Sequence, residues 1–316
     1  MDSRRPRQRC RSRDGGRAGH GRRCDTLIKP FPVRRRVPLI RDRAAAKPGD
    51  APRSLVADFG GAVVDAVGRS VEALLLAEVK ASPVPRHLAI IMDGNRRFAE
   101  TLGLPTNTGH SLGRDTLEAV LDWCLEVGIR HLTVYAFSTE NFRRGPSEIL
   151  HLMDLFEDNF LKMAEDERVH RNKIHVRAIG QLDLLPARVQ RAIRVAEERT
   201  RGYDSYYYTV AVAYGGREEI LRAIRQIAVD VREGRLRAED VDEGVVSKHL
   251  YTSHLPQPDP DLILRTSGEE RISNFLLWQL AYSELVFSDV YWPGFRKVDF
   301  LRVIRSFQQR QRRYGK

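Results

Sequence analysis

The apolar run Leu88-Ala89-Ile90-Ile91-Met92 stops at Asp93-Gly94-Asn95-Arg96-Arg97. An apolar run of that length, bounded by polar residues and glycine, reads as a buried strand. An acid, a glycine and two fixed cations at its end read either as one side of an anion and metal site or as a solvated turn. Three later runs end in similar fashion. "HLTVYAF" leads into Ser138-Thr139-Glu140-Asn141-Phe142-Arg143-Arg144, "YYYTVAVAY" into Gly215-Gly216-Arg217-Glu218, and "PDLIL" into Arg265-Thr266-Ser267-Gly268-Glu269. Arginines present planar donor forks that match phosphate oxygens, and Ser, Thr and backbone N–H groups add to them. Carboxylates among them either neutralise the arginines or hold Mg²⁺, which favours one or two carboxylates together with phosphate oxygens. A diphosphate with Mg²⁺ satisfies every group in these stretches.

Other chemistries lack their motifs. The chain has no G-x-x-x-x-G-K-[ST], G-x-G-x-x-G or H-E-x-x-H. That argues against a P-loop nucleotide enzyme, a nicotinamide dehydrogenase and a zinc protease. Ser138 has no histidine spaced to act as its base, so its hydroxyl reads as a phosphate or hydroxyl contact.

These groups need elements to position them. Strand-like runs at 131–137, 173–180, 206–215 and 260–266 follow the one before Asp93, and 284–292 supplies a sixth candidate. Helical patterns lie between them. Leu117, Val120, Leu121, Cys124 and Leu125 share one face in 111–128, and Ile149, Leu152, Met153, Phe156, Phe160 and Met163 do so in 147–170. Pro186 is placed to open a helix, and 297–313 closes the chain as another. Alternation of this kind predicts an α/β fold, a single domain whose mostly parallel sheet is covered by helices on both faces. Ligands of such sheets bind outside the carboxyl ends of the strands, so the four strand ends converge on one rim. The Phe and Met residues of 147–170 read first as core. A groove between that helix and the sheet would also house a hydrocarbon chain, which suits an amphiphilic diphosphate.

The 316 residues are 42% hydrophobic, enough for a sizeable core, and contain no eighteen-residue apolar run. Cys10, Cys24 and Cys124 show no metal-ligand spacing, which points to a reducing compartment. Of the 53 Lys and Arg and 42 Asp and Glu, 16 and 5 fall in residues 1–50, leaving 37 of each sign elsewhere. The net charge of +11 is therefore a property of that stretch. It is poor in apolar residues and rich in Gly and Pro, so it is expected to be a disordered basic tail. It could touch nucleic acid or anionic lipid. Residues 54–80 read as an N-terminal amphipathic helical segment of the domain spanning 51–316.

The sequence resembles the cis-prenyltransferases, the undecaprenyl diphosphate synthase or Z-isoprenyl diphosphate synthase family. The resemblance runs from about Pro85 to Gly315 and rests on "IIMDGNRRFA", the Gly109-His110 pair, "YAFSTENFRR", "AYGGREEI", "DLILRTSGEERISNFLLWQLAYSELVF" and "YWPGF". "VYAFSTENF" looks most like the archaeal branch. The resemblance implies an apolar tunnel between sheet and helices. It also implies elongation of an allylic diphosphate, farnesyl or geranylgeranyl, by isopentenyl diphosphate. Each addition makes a cis double bond and releases diphosphate, with Mg²⁺ required. The expected product is a medium or long polycis-polyprenyl diphosphate, a precursor of glycosyl carrier lipid.

The resemblance also implies roles by position. Asp93 is the metal-binding and catalytic acid, and Gly94, Asn95, Arg96 and Arg97 cradle the allylic diphosphate. Phe98 takes the aromatic place and His110 lies near the diphosphates. Ser138, Thr139 and Glu140 line the pocket, with Phe142 and Arg144 flanking Asn141. Asn141 is implicated in proton removal. An amide is a poor base, so it reads as positioning a diphosphate oxygen that takes the proton. Arg265, Arg271, Ile272 and Ser273 resemble the isopentenyl diphosphate contacts. Glu284 is a second metal-linked acid, and Arg313 and Gly315 match a C-terminal R-x-G that reaches a partner subunit's site.

A homodimer is thus implied. The implied location is the cytoplasm, with peripheral association at the inner membrane surface, and no nucleic-acid partner is expected. Thr106 stands where bacterial members often carry a further Arg. A short-chain Z-prenyl synthase and a non-catalytic partner subunit are the competing readings. The second conflicts with the presence of Asp93, Asn141 and Glu284. Small Ala136, beside the expected tunnel, favours longer products over short ones.

Overall fold

The computed structural model describes residues 70–310. The expectations for the 1–50 tail, for 54–69, and for Arg313 and Gly315 fall outside the described residues. Six strands form one sheet: β1 (His87–Ile91), β2 (His131–Ser138), β3 (Ile174–Ile179), β4 (Tyr206–Tyr214), β5 (Leu262–Arg265) and β6 (Glu284–Phe287). Their order is β3-β4-β2-β1-β5-β6, and all five pairings are parallel. The sixth strand is shorter than its sequence pattern, because pairing with β5 ends at Arg265 opposite Phe287.

The helices are α1 (70–80), α2 (Asn95–Thr101), α3 (Thr106–Val127), α4 (Pro146–Glu165), α5 (Glu167–Arg171), α6 (Ala187–Thr200), α7 (Gly216–Arg232), α8 (Glu243–His249) and α9 (Lys297–Gln309). The single helix expected over 147–170 is two. Asp166 turns extended (φ −70°, ψ 119°), and its side chain accepts from the Arg168 N–H to cap α5.

Alternate residues of β1 serve two cores, as strand geometry requires. Leu88 and Ile90 join a large cluster that includes Val120, Phe137, Phe160, Ile193 and Phe300. Ala89 and Ile91 join a smaller one built with Tyr135, Tyr214, Phe275 and Leu276. Burial on both faces explains why the strands read as continuous apolar runs rather than alternating ones. Phe137 and Phe160 are each 1% exposed, and burying each contributes roughly 2–3 kcal/mol.

Two features of this frame set the site. The chain leaves β1 toward β2, yet β5 lies on the other side of β1, so the strand order reverses between β1 and β5. The crevice at such a reversal is where open α/β sheets bind ligands. Second, α2 presses directly onto α3. A Cβ added to Gly109 would come within 2.2 Å of the Asn95 carbonyl oxygen, and one on Gly113 within 2.2 Å of Asn95 Oδ1. Two glycines one helical turn apart therefore seat the segment that follows Asp93.

Candidate active site

Asp93 leaves the end of β1 with its backbone clamped. Its N–H donates to Thr266 Oγ1 (3.0 Å), while its carbonyl accepts from the same hydroxyl (2.8 Å) and from the Trp292 N–H (3.0 Å). Its carboxylate faces cations. Oδ2 accepts from Arg265 Nη2 at 2.6 Å, Oδ1 accepts from the Gly94 N–H at 2.7 Å, and Arg97 Nη2 stands 3.4 Å from Oδ1. Burial alone would raise its pKa. The Arg265 hydrogen bond and charge, the Gly94 N–H and Arg97 outweigh that and hold the carboxyl below its usual range. Gly94 sits at φ 101°, and a Cβ there would come within 2.8 Å of the Tyr291 ring. Glycine is required for both reasons.

Arg265, at the end of β5, is 4% exposed. Its Nη1 donates to the Arg271 carbonyl and to Ser273 Oγ (2.7 Å), while its Nε is buried without a partner. The loop that folds over it carries Ser267, Ser273, Asn274 and Leu276 in the left-handed region, with φ of 79°, 47°, 64° and 45°. Such conformations cost on the order of 1 kcal/mol or more each and collect at ligand clamps. Asn274 fastens this loop to its neighbours. Its Oδ1 accepts from the Arg217 N–H (2.9 Å), its carbonyl from the Gly216 N–H (2.7 Å), and its Nδ2 donates to Glu140 Oε1 (3.3 Å).

The remaining cations are held by Glu269, which ends the charged stretch after β5, and by Glu148, which the sequence reading did not select. Arg97 donates to Glu269 (3.0 Å) and Ser267 (2.6 Å) and lies 5.5 Å over the Tyr291 ring; Arg271 also pairs with Glu269. Glu148, in the first turn of α4, accepts from His110 Nε2 and Arg144 Nη1, both at 2.9 Å, with Arg96 Nη1 at 3.9 Å. Burial would raise the Glu148 pKa, but the His110 hydrogen bond and the Arg144 charge hold it down. Burial also lowers His110 in spite of Glu148, so the ring is neutral and donates through Nε2–H. The spacing Arg144-x-x-x-Glu148 was the available signal, an i,i+4 pair at a helix start. Asn141 and Ser138 close a capping box on the 3₁₀ turn Thr139–Arg143, with the Ser138 N–H donating to Asn141 Oδ1 (3.0 Å).

The residues meet in a cleft of about 830 Å³. It is lined by Asp93, Gly94, Asn95, Arg96, Arg97, His110, Ser138, Glu140, Asn141, Arg144, Arg265, Arg271 and Ser273, as expected, and also by Glu100, Tyr135, Glu269 and Asn274. Five other expected residues do not line it. Phe98 turns toward Gly294. Thr139 donates to Glu140 Oε2 at 3.3 Å. Phe142 packs edge-on against Phe137 (4.9 Å between centroids). The Ile272 carbonyl accepts the Phe275 N–H.

Glu284 is the clearest correction. It opens β6 opposite Leu262, which pairs with Leu88 at the start of β1. Asp93 lies five residues beyond Leu88, roughly 16 Å further along the strand direction. Glu284 instead pairs with Arg310 at 2.9 Å. Within one chain it therefore does not join Asp93 at a metal site. No group of three His, Cys, Asp or Glu residues among the described residues is arranged to hold a metal ion. The donor set at Asp93, one carboxylate facing a phosphate-sized cationic cleft, fits an ion that takes most of its ligands from substrate oxygens.

Below the cleft, a cavity of about 90 Å³ runs under Ala136, between α3, α4 and the sheet, lined by Leu117, Leu155, Phe156, Phe160 and Met163. A charged mouth thus opens onto an apolar passage. A family model described as undecaprenyl diphosphate synthase matches residues 91–315. The tritrans,polycis-undecaprenyl-diphosphate synthase (geranylgeranyl-diphosphate specific) of Methanocaldococcus jannaschii is 54% identical over 245 residues, 78% of this chain and 88% of that one. Its counterpart in Methanopyrus kandleri is 56% identical over 250 residues, 79% and 92% of the two chains. The crystal structure of lavandulyl diphosphate synthase from Lavandula x intermedia in complex with dimethylallyl diphosphate superposes with a TM-score of 0.70 at 36% identity. It covers 74% of this chain and 99% of that one.

Proposed function

The chain belongs to the undecaprenyl diphosphate synthase family and is an enzyme of cis-prenyl chain elongation, and from that premise we propose that it extends geranylgeranyl diphosphate with isopentenyl diphosphate to a long polycis-polyprenyl diphosphate. The observation that carries this reading is the position of Asp93, at the strand-order reversal, between Arg265 and Arg97 and above the apolar passage. The primer is inferred from the archaeal relatives, which are named geranylgeranyl-diphosphate specific.

In this reading the allylic diphosphate lies against Gly94, Asn95, Arg96, Arg97, His110 and Arg144, with its hydrocarbon pointing under Ala136. Isopentenyl diphosphate lies against Arg265, Arg271 and Ser273. The allylic carbon–oxygen bond breaks, diphosphate leaves, and a carbon–carbon bond forms to the terminal alkene carbon of the second substrate, which then loses a proton. Preorganised arginines stabilise the charge that develops on the departing diphosphate and need no rearrangement to do so. Holding both substrates across one crevice supplies a further large share of the rate. Mg²⁺, when bound, would neutralise diphosphate charge as a Lewis acid, and Asp93 is the residue that would hold it. Asn141 Oδ1 is engaged by the Ser138 N–H, so its amide offers Nδ2–H donors to a diphosphate oxygen, and that oxygen takes the proton.

We further place the enzyme in the cytoplasm, as a homodimer working peripherally at a membrane surface; no helix among the described residues is long and apolar enough to cross a membrane. Arg313 and Gly315 are then residues offered to the partner's site. Because Glu284 is remote from Asp93 of its own chain, a metal role for it requires a second copy. The product as a carrier-lipid precursor belongs to the same proposal.

The test is incubation of the purified protein with labelled isopentenyl diphosphate and dimethylallyl, geranyl, farnesyl or geranylgeranyl diphosphate, with product sizing. Geranylgeranyl diphosphate should be the preferred primer, and chelation of Mg²⁺ should stop incorporation. Incorporation with no primer would overturn the reading.

A further inference from the structure

The passage does not end under Ala136. Arg114, Leu117, Asn159, Met163 and Tyr208 line both the middle cavity and a third one, of about 60 Å³, that continues between α3 and α4. From His110 at the mouth to Asp122 at the far end is roughly 18 Å along α3. The passage narrows from the cleft of about 830 Å³ to cavities of about 90 and 60 Å³ along the seam. A product of many isoprene units is longer than this passage, so its distal end has to part the helices or leave between them.

The outer edge of the α3–α4 seam is fastened by charge. Lys162 Nζ of α4 donates to both carboxylate oxygens of Glu118 on α3, at 2.7 and 2.8 Å. Arg168, at the start of α5, donates through Nη1 to both oxygens of Asp122 (3.1 and 2.9 Å), and its Nη2 stands 4.0 Å from Glu118. Arg168 is itself aimed by Asp166, which accepts from Nη2 at 2.6 Å. These pairs bridge the seam directly over the apolar floor made by Leu117, Leu121 and Met163. Glu118 and Lys162 are 29% and 56% exposed. Exposed pairs of this kind contribute little to stability and open easily.

We propose that the Glu118–Lys162 and Asp122–Arg168 pairs are a latch on the α3–α4 seam, through which the growing hydrocarbon's distal end leaves, and that the latch sets product length. This rests on the chain-elongation reading above. While the latch is shut, the chain end meets the far cavity and further addition slows. When it parts, the tail passes toward an apolar phase such as a lipid surface.

The test uses the full chain and compares Glu118→Lys, Lys162→Glu and the double exchange E118K/K162E. Two readouts are taken for each: the rate of the first condensation at limiting isopentenyl diphosphate, and the length distribution at excess. Both single reversals place like charges across the seam. They should lengthen the mean product by at least one isoprene unit, with the first-condensation rate within about twofold of the parent. The double exchange, which restores attraction, should restore the parent length. Unchanged or shorter products from the single variants, or longer products that the double exchange does not reverse, would overturn the latch. A parent chain that performs no first condensation would instead overturn the function on which it rests.

Discussion

Nη2 of Arg265 lies 2.6 Å from Oδ2 of Asp93, joining the end of β5 to the end of β1 across the strand-order reversal. The guanidinium is buried and the carboxylate is partly exposed, so the pair presents its acid to the cleft and its base to the protein. Asp93→Asn keeps the shape and removes the charge. Turnover should fall by about 10²–10³-fold, the scale of losing one preorganised electrostatic group. Steady-state rates with geranylgeranyl diphosphate check this, and a loss under tenfold would remove Asp93 from the chemistry.

Glu148 gathers His110, Arg144 and Arg96 on one carboxylate. Replacing it with Gln exchanges charge-assisted bonds for neutral ones, a difference of about 1–1.5 kcal/mol. The KM for the allylic diphosphate should rise about tenfold, with kcat less affected. An unchanged KM would reduce Glu148 to a counterion.

Gly113→Ala would place a methyl 2.2 Å from Asn95 Oδ1 and 3.0 Å from the Trp292 ring. Overpacking of this kind costs about 1–3 kcal/mol. Thermal melting should drop by several degrees, together with activity, because Asn95 belongs to the cleft.

The first charged strand end and the parallel sheet were legible because both are local. Asp93-Gly94-Asn95-Arg96-Arg97 follows its apolar run directly, and two-sided burial writes itself into β1 and β4 as unbroken apolar stretches. What depended on register was not legible. Glu284 reads as a second metal-linked acid, yet four residues of β6 decide at which end of the sheet it falls, and pairing with Leu262 puts it at the end away from Asp93 of its own chain. Glu148 escaped for another reason. It is an ordinary helix acid until the fold brings His110 and Arg96 to it. The break at Asp166 is a matter of one residue's dihedrals, which hydrophobic spacing does not encode.

Ala136 lines both the mouth and the passage. Ala136→Leu fills part of a space of about 90 Å³. Products should shorten while the first condensation persists, as product sizing against time will show. Unaltered length would mean that the chain takes another route.

Stability should fall as the medium turns acid, well before the carboxylates titrate. The Nδ1–H groups of His87 and His131 both donate to the Gln257 carbonyl, at 3.1 and 3.3 Å, and burial lowers the pKa of both rings in spite of that bond. Burial, helped by His131, pushes His87 from 6.5 down to about 3, and burial pushes His254 down to about 4. Between pH 6.5 and those values the unfolded chain binds more protons than the folded one. The contribution is therefore complete above pH 6.5 and declines as pH falls, by up to about 1.4 kcal/mol per pH unit for each ring. Urea unfolding at pH 7, 6 and 5 checks the slope, and His87→Gln should flatten it.

The Asp93–Arg265 contact spans 172 residues of sequence. Closing so long a loop is slow compared with forming the helices inside it. During synthesis, β1 to β4 therefore emerge with the acid already in place but without the base that completes it. Catalytic competence arrives only when the last third of the polypeptide docks against β1. A ribosome-bound or prematurely terminated chain would be catalytically silent, and the onset of turnover serves as a clock for the final step of folding.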